Sequence, residues 1–367
     1  MLLMQDMPTI NSSKMNKSNI TEKHWQGLSV WLKIKGFDLQ LKPMPCKFKT
    51  GMGNLNYKIF LDKKPYVLRR PPLGPLPPGA NDMQREHTVM SSLSKKFDLV
   101  PNSILFCDDQ NIFGAPFHIM NFKEGITING DKLPKKYQSI NDANYISTML
   151  INVLVKLHKI KPIDVGLENF GKPEGFLKRQ LIGWHNRGII AHNNVQSENM
   201  EKLFTILSSK RMPEEIDFVI LHNDFKLDNI ILKPFTNSHK LLPQAIIDWD
   251  QATRGHPLFD LATLLSYWTL LEDSKDMKLI KQMPSASPGF ISRKEALDLY
   301  KKLSERNIKD FKWIYSLSLL KLGVVFQQLY AQYLRGTIKE NKYKNFGIVA
   351  EAAYLRGINA INNNDYI

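Results

Sequence analysis

Two short stretches in the second half of the chain hold polar residues whose types and spacing could do chemistry: residues 221–229, LHNDFKLDN, and residues 246–250, IIDWD. Asp224 and Asn229 lie five positions apart in the first stretch, and Asp248 lies in the second. Phosphoryl transfer needs a carboxylate that orients a hydroxyl group and accepts its proton, and oxygen ligands that hold magnesium between nucleotide phosphates. The pattern therefore predicts Asp224 as the catalytic base and Asn229 and Asp248 as ligands of Mg²⁺.

A structural alternative exists for these residues, because aspartate and asparagine are common in loops, where their side chains form turns. That alternative is strong for one such residue and weaker for three in this spacing. His222 is predicted to anchor the loop through hydrogen bonds and not to transfer protons. Asp260, in PLFDLA, is predicted to brace the same loop, and His158, in KLHKI, to be a structural histidine.

The composition is typical of a globular protein. Of the 367 residues, 43% are hydrophobic and 23% are charged, and the length predicts about two domains or one bilobal unit. The two cysteines, Cys46 and Cys107, are too few for a disulfide framework or a four-ligand zinc site. This count favours a reducing compartment and predicts a cytoplasmic location.

The formal net charge is +15, which favours anionic partners. The lysines are scattered along the chain and form no dense basic block with interleaved aromatic residues, so we predict no nucleic-acid partner. The same charge argues mildly against a polycationic substrate.

Neither the longest apolar stretch nor the first residues predict membrane insertion or export. Residues 313–334, WIYSLSLLKLGVVFQQLYAQYL, are interrupted by Lys321, Gln327 and Gln328, so a buried helix is better supported than a transmembrane one. Residues 1–20 show neither a signal-peptide pattern nor an arginine-rich transit pattern, and we expect a disordered or loosely attached tail there.

The elements that must position the polar residues change in type along the chain. Five strand-like segments lie in the first third, and helical periodicity predominates after Gly125. This order predicts an α+β fold with a small lobe on a five-stranded antiparallel sheet and a larger, mainly helical lobe. Asn81 is expected to cap a helix, and FVILH and QAIIDWD to be short strands that present catalytic residues at their ends. The predicted strands are 46–50, 55–62, 65–70, 100–107 and 114–122, and the predicted domains are a tail over 1–24, a nucleotide-binding lobe over 25–122 and a catalytic lobe over 123–367.

HNDFKLDN, followed by IIDWD and GHPLFDLATLL, resembles the aminoglycoside phosphotransferase-like, or kinase-like, family, whose usual pattern is HGDFxxxN, then DWE, then GxPxxDLA. The likeness extends from about Phe48 to Ile358. It includes GMGNLNYKI, YVLRRPP, QREHTVMSSL, GAPFHIMNFKEG, LVKLHKI and PGFISRKEALDLY. This set is most similar to the phosphotransferase domains that are associated with acyl-CoA dehydrogenases.

The resemblance implies a bilobal protein-kinase-like fold that binds ATP and Mg²⁺. Arg69 falls where related kinases place a phosphate-contacting lysine, and Glu86 would pair with it from a helix; an exposed helix carboxylate is the alternative for Glu86. The resemblance also implies a phosphate-covering turn at Gly51, Gly53 and Asn54, which a plain hairpin turn explains equally well. It places Met120, Asn121 and Phe122 in the hinge beside adenine, although these side chains could equally belong to the core. The implied nucleotide-binding residues are thus Gly51, Gly53, Asn54, Arg69, Glu86, Met120, Asn121 and Phe122.

The chain departs from the family pattern at several positions. Asn223 replaces the usual glycine, although asparagine tolerates the left-handed conformation better than most residues. Lys226 lies two residues after Asp224, as in the protein-kinase pattern HRDLKxxN, and is predicted to be catalytic by steadying the transferred phosphoryl group. The arginine at position 69 keeps the charge of lysine and adds a bidentate fork.

These residues predict an ATP- and Mg²⁺-dependent kinase that phosphorylates the hydroxyl group of a small-molecule alcohol. The acceptor hypothesis is an anionic compound, a hydroxyacyl-CoA or a related hydroxy acid. Aminoglycosides, choline-like and sugar-like alcohols, and a catalytically silent nucleotide-binding protein are the alternatives. The oligomeric state stays open between monomer and homodimer. The candidate substrate residues lie in 176–188, FLKRQLIGWHNRG, where a plain solvated helix is the alternative; they are Lys178, Arg179, Trp184, His185 and Arg187.

Overall fold

The computed structural model describes residues 20–48, 53–72, 81–193, 197–215, 217–235 and 240–363. Gly51 of the predicted phosphate-covering turn, residues 1–19 and most of the proline-rich segment (73–80) lie outside these ranges. The chain divides into two compact units. One unit is Met1–Ser91 with Asn102–Phe122, and the other is Ser92–Pro101 with Lys123–Ile367.

The first unit is built on an antiparallel sheet of five strands in the order β1-β2-β3-β5-β4. In β2 the buried residues alternate with partly exposed ones, as expected for a strand with one face on a core. The predicted α+β class and the five-stranded antiparallel sheet are therefore confirmed. The strands are β1 (Cys46–Lys47), β2 (Leu55–Leu61), β3 (Lys64–Arg70), β4 (Ser103–Cys107) and β5 (Phe117–Asn121).

Three helices accompany this sheet: α1 (Glu22–Ile34), α2 (Met83–Leu93) and α3 (Gln110–Phe113). Trp25 of α1 packs edge-on against Phe113 and Tyr57, with ring centroids 4.8 and 5.3 Å apart. The predicted cap of α2 is wrong. Asp82, and not Asn81, caps the helix, because its carboxylate accepts from the N–H of Arg85 at 2.9 Å, whereas Asn81 has a positive φ of 56°.

The second unit is mainly helical, as predicted. Its longest helix, α9 (Phe311–Leu334), is mostly apolar and is buried over most of its length, which is typical of a core helix. In the part of the chain that the structure describes, no helix has the length and apolar character needed to cross a bilayer. The helices are α4 (Ile140–His158), α5 (Phe176–Ala191), α6 (Glu198–Ser209), α7 (Leu258–Ser266), α8 (Arg293–Ser304), α9 (Phe311–Leu334) and α10 (Phe346–Asn362).

Two short antiparallel pairs interrupt these helices. FVILH contributes β6 (Val219–Leu221), which pairs with β9 (Thr253–Gly255). QAIIDWD contributes the end of β8 (Leu241–Ile246), which pairs with β7 (Ile230–Pro234). The sequence patterns predicted β6 and β8 but not β7 and β9. The second pair begins with Ile230 opposite Ile246, so the residues that precede β7 and follow β8 are neighbours.

Candidate active site

The main chain of the loop between β6 and β7 is held by a carboxylate. Asp260, in the first turn of α7, accepts from the N–H groups of His222 and Asn223, each at 2.7 Å. The His158 Nε2 lies 3.4 Å from the same carboxylate. Asn223 adopts the left-handed conformation with φ 65°, and its Nδ2 donates to the carbonyl of Gln251 at 2.8 Å. Hydrogen bonds on both sides thus stabilise a conformation in which related sequences use glycine.

The imidazole of His222 is fully buried, and both of its nitrogens contact backbone groups. Nε2 lies 2.9 Å from the Ile247 carbonyl oxygen, and Nδ1 accepts from the Asp224 N–H at 3.3 Å. Since a carbonyl only accepts and an amide N–H only donates, the tautomer with a proton on Nε2 fits both contacts. His222 therefore ties the loop to the end of β8, and neither nitrogen is left for proton transfer.

Asp224 is the centre of a hydrogen-bonded group on this loop. Its Oδ2 accepts from Lys226 Nζ at 2.7 Å and from Asn229 Nδ2 at 3.1 Å, and its main-chain oxygen accepts from the same Nδ2 at 2.8 Å. The side chain remains 19% exposed. Burial by itself raises the pKa of Asp224, but the charges of Lys226 and Lys321 outweigh it and hold the pKa below its usual range. Asp224 is therefore a carboxylate with an exposed edge.

Lys226 carries the positive charge nearest to Asp224. Burial alone lowers the pKa of this lysine, but the Asp224 carboxylate more than compensates and the pKa is raised above its usual value. The ammonium also lies 5.3 Å from the centre of the Tyr267 ring and 3.8 Å from Asp228 Oδ2. Lys226 therefore stays protonated wherever the protein is folded near neutral pH.

Asn229 and Asp248 are brought together by the β7–β8 pair. The Ile247 N–H donates to the Asn229 carbonyl oxygen at 2.9 Å, and Asp248 follows directly, with a positive φ of 71°. Uncommon backbone conformations of this kind are often found at functional sites. Because Asn229 Nδ2 is engaged by Asp224, the Oδ1 atom is the one that can meet a cation.

The charges around this pair fit a divalent cation. Asp228 Oδ1 is buried and has no hydrogen-bond partner among the described residues. Burial raises the pKa of Asp228 to about 6, and the carboxylates of Asp224 and Asp248 add to the rise. No cluster of three or more His, Cys, Asp and Glu side chains suited to a metal occurs among the described residues. An amide oxygen with one carboxylate is nevertheless a donor set for Mg²⁺, which commonly keeps waters and phosphate oxygens as its other ligands.

In the first unit, Arg69 of β3 and Glu86 of α2 form a buried ion pair, with Arg69 Nε 2.7 Å from Glu86 Oε2. The side chains are 8% and 0% exposed, so Glu86 is not a solvated helix carboxylate. Burial raises the pKa of Glu86, but Arg69 and His118 outweigh it and the pKa is lowered. Asn54, at the start of β2, accepts from Asn81 Nδ2 at 2.7 Å. Gly53 precedes it with nothing closer than 3.6 Å to an added Cβ.

The predicted hinge residues differ in exposure. Met120 is buried, whereas Asn121 is exposed and its N–H donates to the Asn102 carbonyl oxygen at 3.0 Å. The Phe122 ring lies parallel to the ring of Phe48 with centroids 6.3 Å apart. These contacts place one apolar side chain in the core and a pair of stacked rings at the end of β5.

The five candidate substrate residues of α5 have different surroundings. Lys178 is exposed, and Arg179 donates to the carbonyls of Glu174 and Lys172. His185 stacks on Phe204 with ring centroids 3.7 Å apart and lies 2.9 Å from Glu201. Arg187 instead lies over the Trp184 indole, with its guanidinium carbon 3.9 Å from the ring centroid. Arg179 and His185 are thus engaged by their own unit, and Trp184 and Arg187 form a separate pair.

The structure adds Lys321 of α9 to the site. Its Nζ donates to the Asn223 carbonyl oxygen at 2.5 Å and lies 5.9 Å from the Trp184 ring. Burial lowers the pKa of Lys321 to about 8, although Asp224 and Asp260 partly offset this. In the sequence, Lys321 is visible only as a charge within a mostly apolar stretch, a feature that argues against a membrane span but does not indicate a site.

The fold is that of the kinase-like phosphotransferases. A model of the phosphotransferase enzyme family matches residues 46–283, and the chain belongs to this family.

Comparisons with relatives of known sequence and structure agree with this family assignment. Acyl-CoA dehydrogenase family member 11 of Gallus gallus is 27% identical over 319 residues, which are 85% of this chain and 40% of that protein, so the chain spans well under half of this relative. A candidate aminoglycoside phosphotransferase of Ralstonia eutropha matches with a TM-score of 0.73 at 23% identity, over 91% of this chain and 98% of that one. A thermostable aminoglycoside phosphotransferase mutant, solved with AMP-PNP and hygromycin B, gives a TM-score of 0.57 at 13% identity over 91% and 99%. The resemblance inferred from the sequence motifs is confirmed.

Proposed function

We propose that this protein is an ATP- and Mg²⁺-dependent kinase that transfers the γ-phosphoryl group to a hydroxyl group of a small-molecule alcohol. One observation carries the proposal: Lys226 and Asn229 both donate to the carboxylate of Asp224 on a single loop. Asp248 follows the strand that pairs with the end of that loop. A carboxylate, a cation and an amide oxygen are the side chains that phosphoryl transfer to an alcohol requires.

The roles follow from the charges. Asp224 is ionised and partly exposed, so it can accept a hydrogen bond from the acceptor hydroxyl, orient it and take its proton as the bond to phosphorus forms. Lys226 stays protonated and can stabilise negative charge on the transferred group. Asn229 and Asp248 would hold Mg²⁺, which when bound neutralises phosphate charge. His222 and Asp260 keep the loop in place and do not meet the substrate.

We propose that the nucleotide is bound by the residues of the first unit that the resemblance indicated. Arg69 would contact phosphate, and Glu86 would fix the Arg69 side chain, because a buried ion pair restricts the orientation of the guanidinium group. Gly53 and Asn54 would approach phosphate, and the backbone near Met120 would bind adenine. The AMP-PNP complex of a structural neighbour supports ATP as the donor.

For the acceptor we propose an anionic alcohol, a hydroxyacyl-CoA or a related hydroxy acid. Three cations, Lys226, Lys321 and Arg187, lie in the neighbourhood of Asp224 and Trp184, and the chain carries a net charge of +15. This setting opposes a polycationic aminoglycoside. The similarity to an acyl-CoA dehydrogenase family member supports the same class. An aminoglycoside acceptor is the second candidate, because structural neighbours carry that name.

A metabolite screen for nucleotide consumption tests this proposal. Hydroxyacyl-CoA, hydroxy acid, sugar, choline-like and aminoglycoside alcohols are compared under saturating Mg²⁺ and ATP. Asp224→Asn should lower the transfer rate by about 10²–10⁴-fold while nucleotide binding is kept. Asp298→Asn, an exposed carboxylate of α8, is the matched control and should behave as the wild type. Turnover of another alcohol class but not of acyl-CoA would refute the acceptor, and Mg²⁺-nucleotide binding without any transfer would refute the kinase.

A further inference from the structure

We infer that Lys321 is a positioning residue of the phosphoryl-transfer site, which holds the carbonyl of Asn223 and thereby fixes the orientation of the catalytic base Asp224. The inference rests on the proposed function of the loop that contains Asp224. It concerns a residue 98 positions away from that loop, on a different element.

The location of Lys321 is unusual for a lysine. It lies inside α9 between Leu320 and Leu322, and it is only 6% exposed. An ammonium group loses much hydration free energy when it is buried, so such a residue is uncommon unless a specific partner compensates. The partner here is a main-chain carbonyl of the catalytic loop and not a carboxylate. The contact therefore constrains the main-chain conformation of the loop.

That carbonyl belongs to Asn223, which has the left-handed backbone conformation. Asn223 has a positive φ, and its N–H is bound by Asp260 while its C=O is bound by Lys321. The two bonds hold the residue at both ends. Because Asp224 follows directly, the orientation of the 223–224 peptide sets the direction in which the Asp224 side chain leaves the backbone.

Lys321 does not act as a hydrogen-bond donor to the base itself. The Asp224 carboxylate accepts from Lys226 and Asn229. Lys321 affects this carboxylate only through its positive charge, which lowers the pKa of Asp224. The charged groups facing Lys321 are the carboxylates of Asp224 and Asp260 and the cations of Lys226 and Arg187. The rings of Phe259 and Trp184 lie 5.2 and 5.9 Å away.

Burial of the Lys321 ammonium group should make transfer activity depend on pH. A residue with a purely structural role would not have this effect. Burial lowers the pKa of Lys321 to about 8, so the ammonium loses its proton within an accessible alkaline range. A neutral amine can still donate a hydrogen bond to the Asn223 carbonyl, but this bond is weaker than a charge-assisted one, so the loop is held less firmly. Transfer activity should then fall as pH rises through about 8.

The test compares Lys321→Met, Lys321→Arg and Lys312→Met, the last being the same change at the other lysine of α9. Lys321→Met should lower kcat by about 10–100-fold, as expected for a misplaced catalytic group, and change the KM for ATP by less than about twofold. The alkaline fall of activity should be absent from Lys321→Met and shifted upward in Lys321→Arg, because arginine stays charged. Lys312→Met should match the wild type. A wild-type kcat in Lys321→Met, or the same alkaline fall in this variant, would overturn the inference.

Amide hydrogen exchange of the segment 219–234 provides a second readout that needs no substrate. Exchange in this segment should be faster in Lys321→Met than in the wild type and in Lys312→Met. If the wild type transfers phosphate to no acceptor, the proposed function fails. The exchange result then still decides whether Lys321 holds the loop, and equal exchange in the three proteins would reject that role. If Lys321→Met does not fold, the pH dependence of transfer activity is compared between the wild type and Lys321→Arg instead.

Discussion

The ammonium group of Lys321 lies on a helix whose inward-facing residues are otherwise mostly apolar, and its pKa of about 8 compares with 10.5 for an unperturbed lysine. Between these two values the unfolded chain binds more protons than the folded one. The free energy of unfolding should therefore rise with pH across this window. The difference between these two pKa values corresponds to roughly 3–4 kcal/mol of stability.

This linkage can be measured by urea unfolding of the wild type, Lys321→Met and Lys312→Met at a series of pH values above 8. Other groups titrate in all three proteins, so the difference between curves isolates Lys321. The wild type should gain stability relative to Lys321→Met as pH rises, whereas Lys312→Met should run parallel to the wild type. Parallel curves for wild type and Lys321→Met would show that the ammonium is not desolvated as the structure indicates.

The same residue shows what a sequence can and cannot reveal about single side chains. The spacing of Asp224, Asn229 and Asp248 along the chain was enough to make them candidate site residues. Lys321 was not among them, because its partner is 98 residues away and their contact depends on how α9 packs beside the loop. Arg179 and Arg187 look alike in the sequence of α5, yet backbone carbonyls engage the first and an indole ring lies under the second.

At the scale of elements, the N-terminus of α7 supports the loop that contains Asp224. Asp260 is fully buried and accepts two main-chain N–H groups, and an amide in its place could accept only one of them without a clash of hydrogens. Asp260→Asn should therefore lower the free energy of unfolding by about 2–4 kcal/mol, since hydrogen bonds to charged groups contribute about 1.5–3 kcal/mol each.

Chemical denaturation followed by tryptophan fluorescence checks this value. Asp298→Asn, which alters an exposed carboxylate of α8 paired with Lys294, should change stability by less than about 0.5 kcal/mol. The Asp260 variant should also lose transfer activity, because the N–H groups of His222 and Asn223 lose their shared acceptor. Equal stability of the two variants would mean that the loop is held mainly by other contacts.

Element types were largely predictable, and element pairings were not. The five strands of the first unit and the helices after Gly125 follow from periodicity and turn residues, which are local properties. The strand β9 is three residues long, TRG, and carries no pattern of its own; it exists because it pairs with β6. The cap of α2 was misplaced by one residue, because Asn81 and Asp82 are both good caps and only the backbone conformation of Asn81 distinguishes them.

At the scale of the whole molecule, family membership rests on residues 46–283 and does not by itself select the acceptor. The net charge of +15 offers a test that does not depend on any single contact. A positive protein raises the local concentration of anions, and salt screens this attraction over a Debye length of about 10 Å at 0.1 M.

If the acceptor is a hydroxyacyl-CoA or hydroxy acid, its kcat/KM should fall severalfold as salt rises from about 0.05 to about 0.5 M, with ATP and Mg²⁺ kept saturating so that only acceptor capture is rate-limiting. A cationic aminoglycoside that is also turned over should show the opposite trend, because screening removes a repulsion. A neutral alcohol serves as the control, with kcat/KM nearly independent of salt. Steady-state kinetics in the acceptor concentration, repeated at each salt concentration, give the three slopes. An anionic acceptor whose kcat/KM is flat in salt would show that the positive surface has no part in substrate capture, and the acceptor would then have to be explained from the local contacts of Trp184, Arg187 and Lys321 alone.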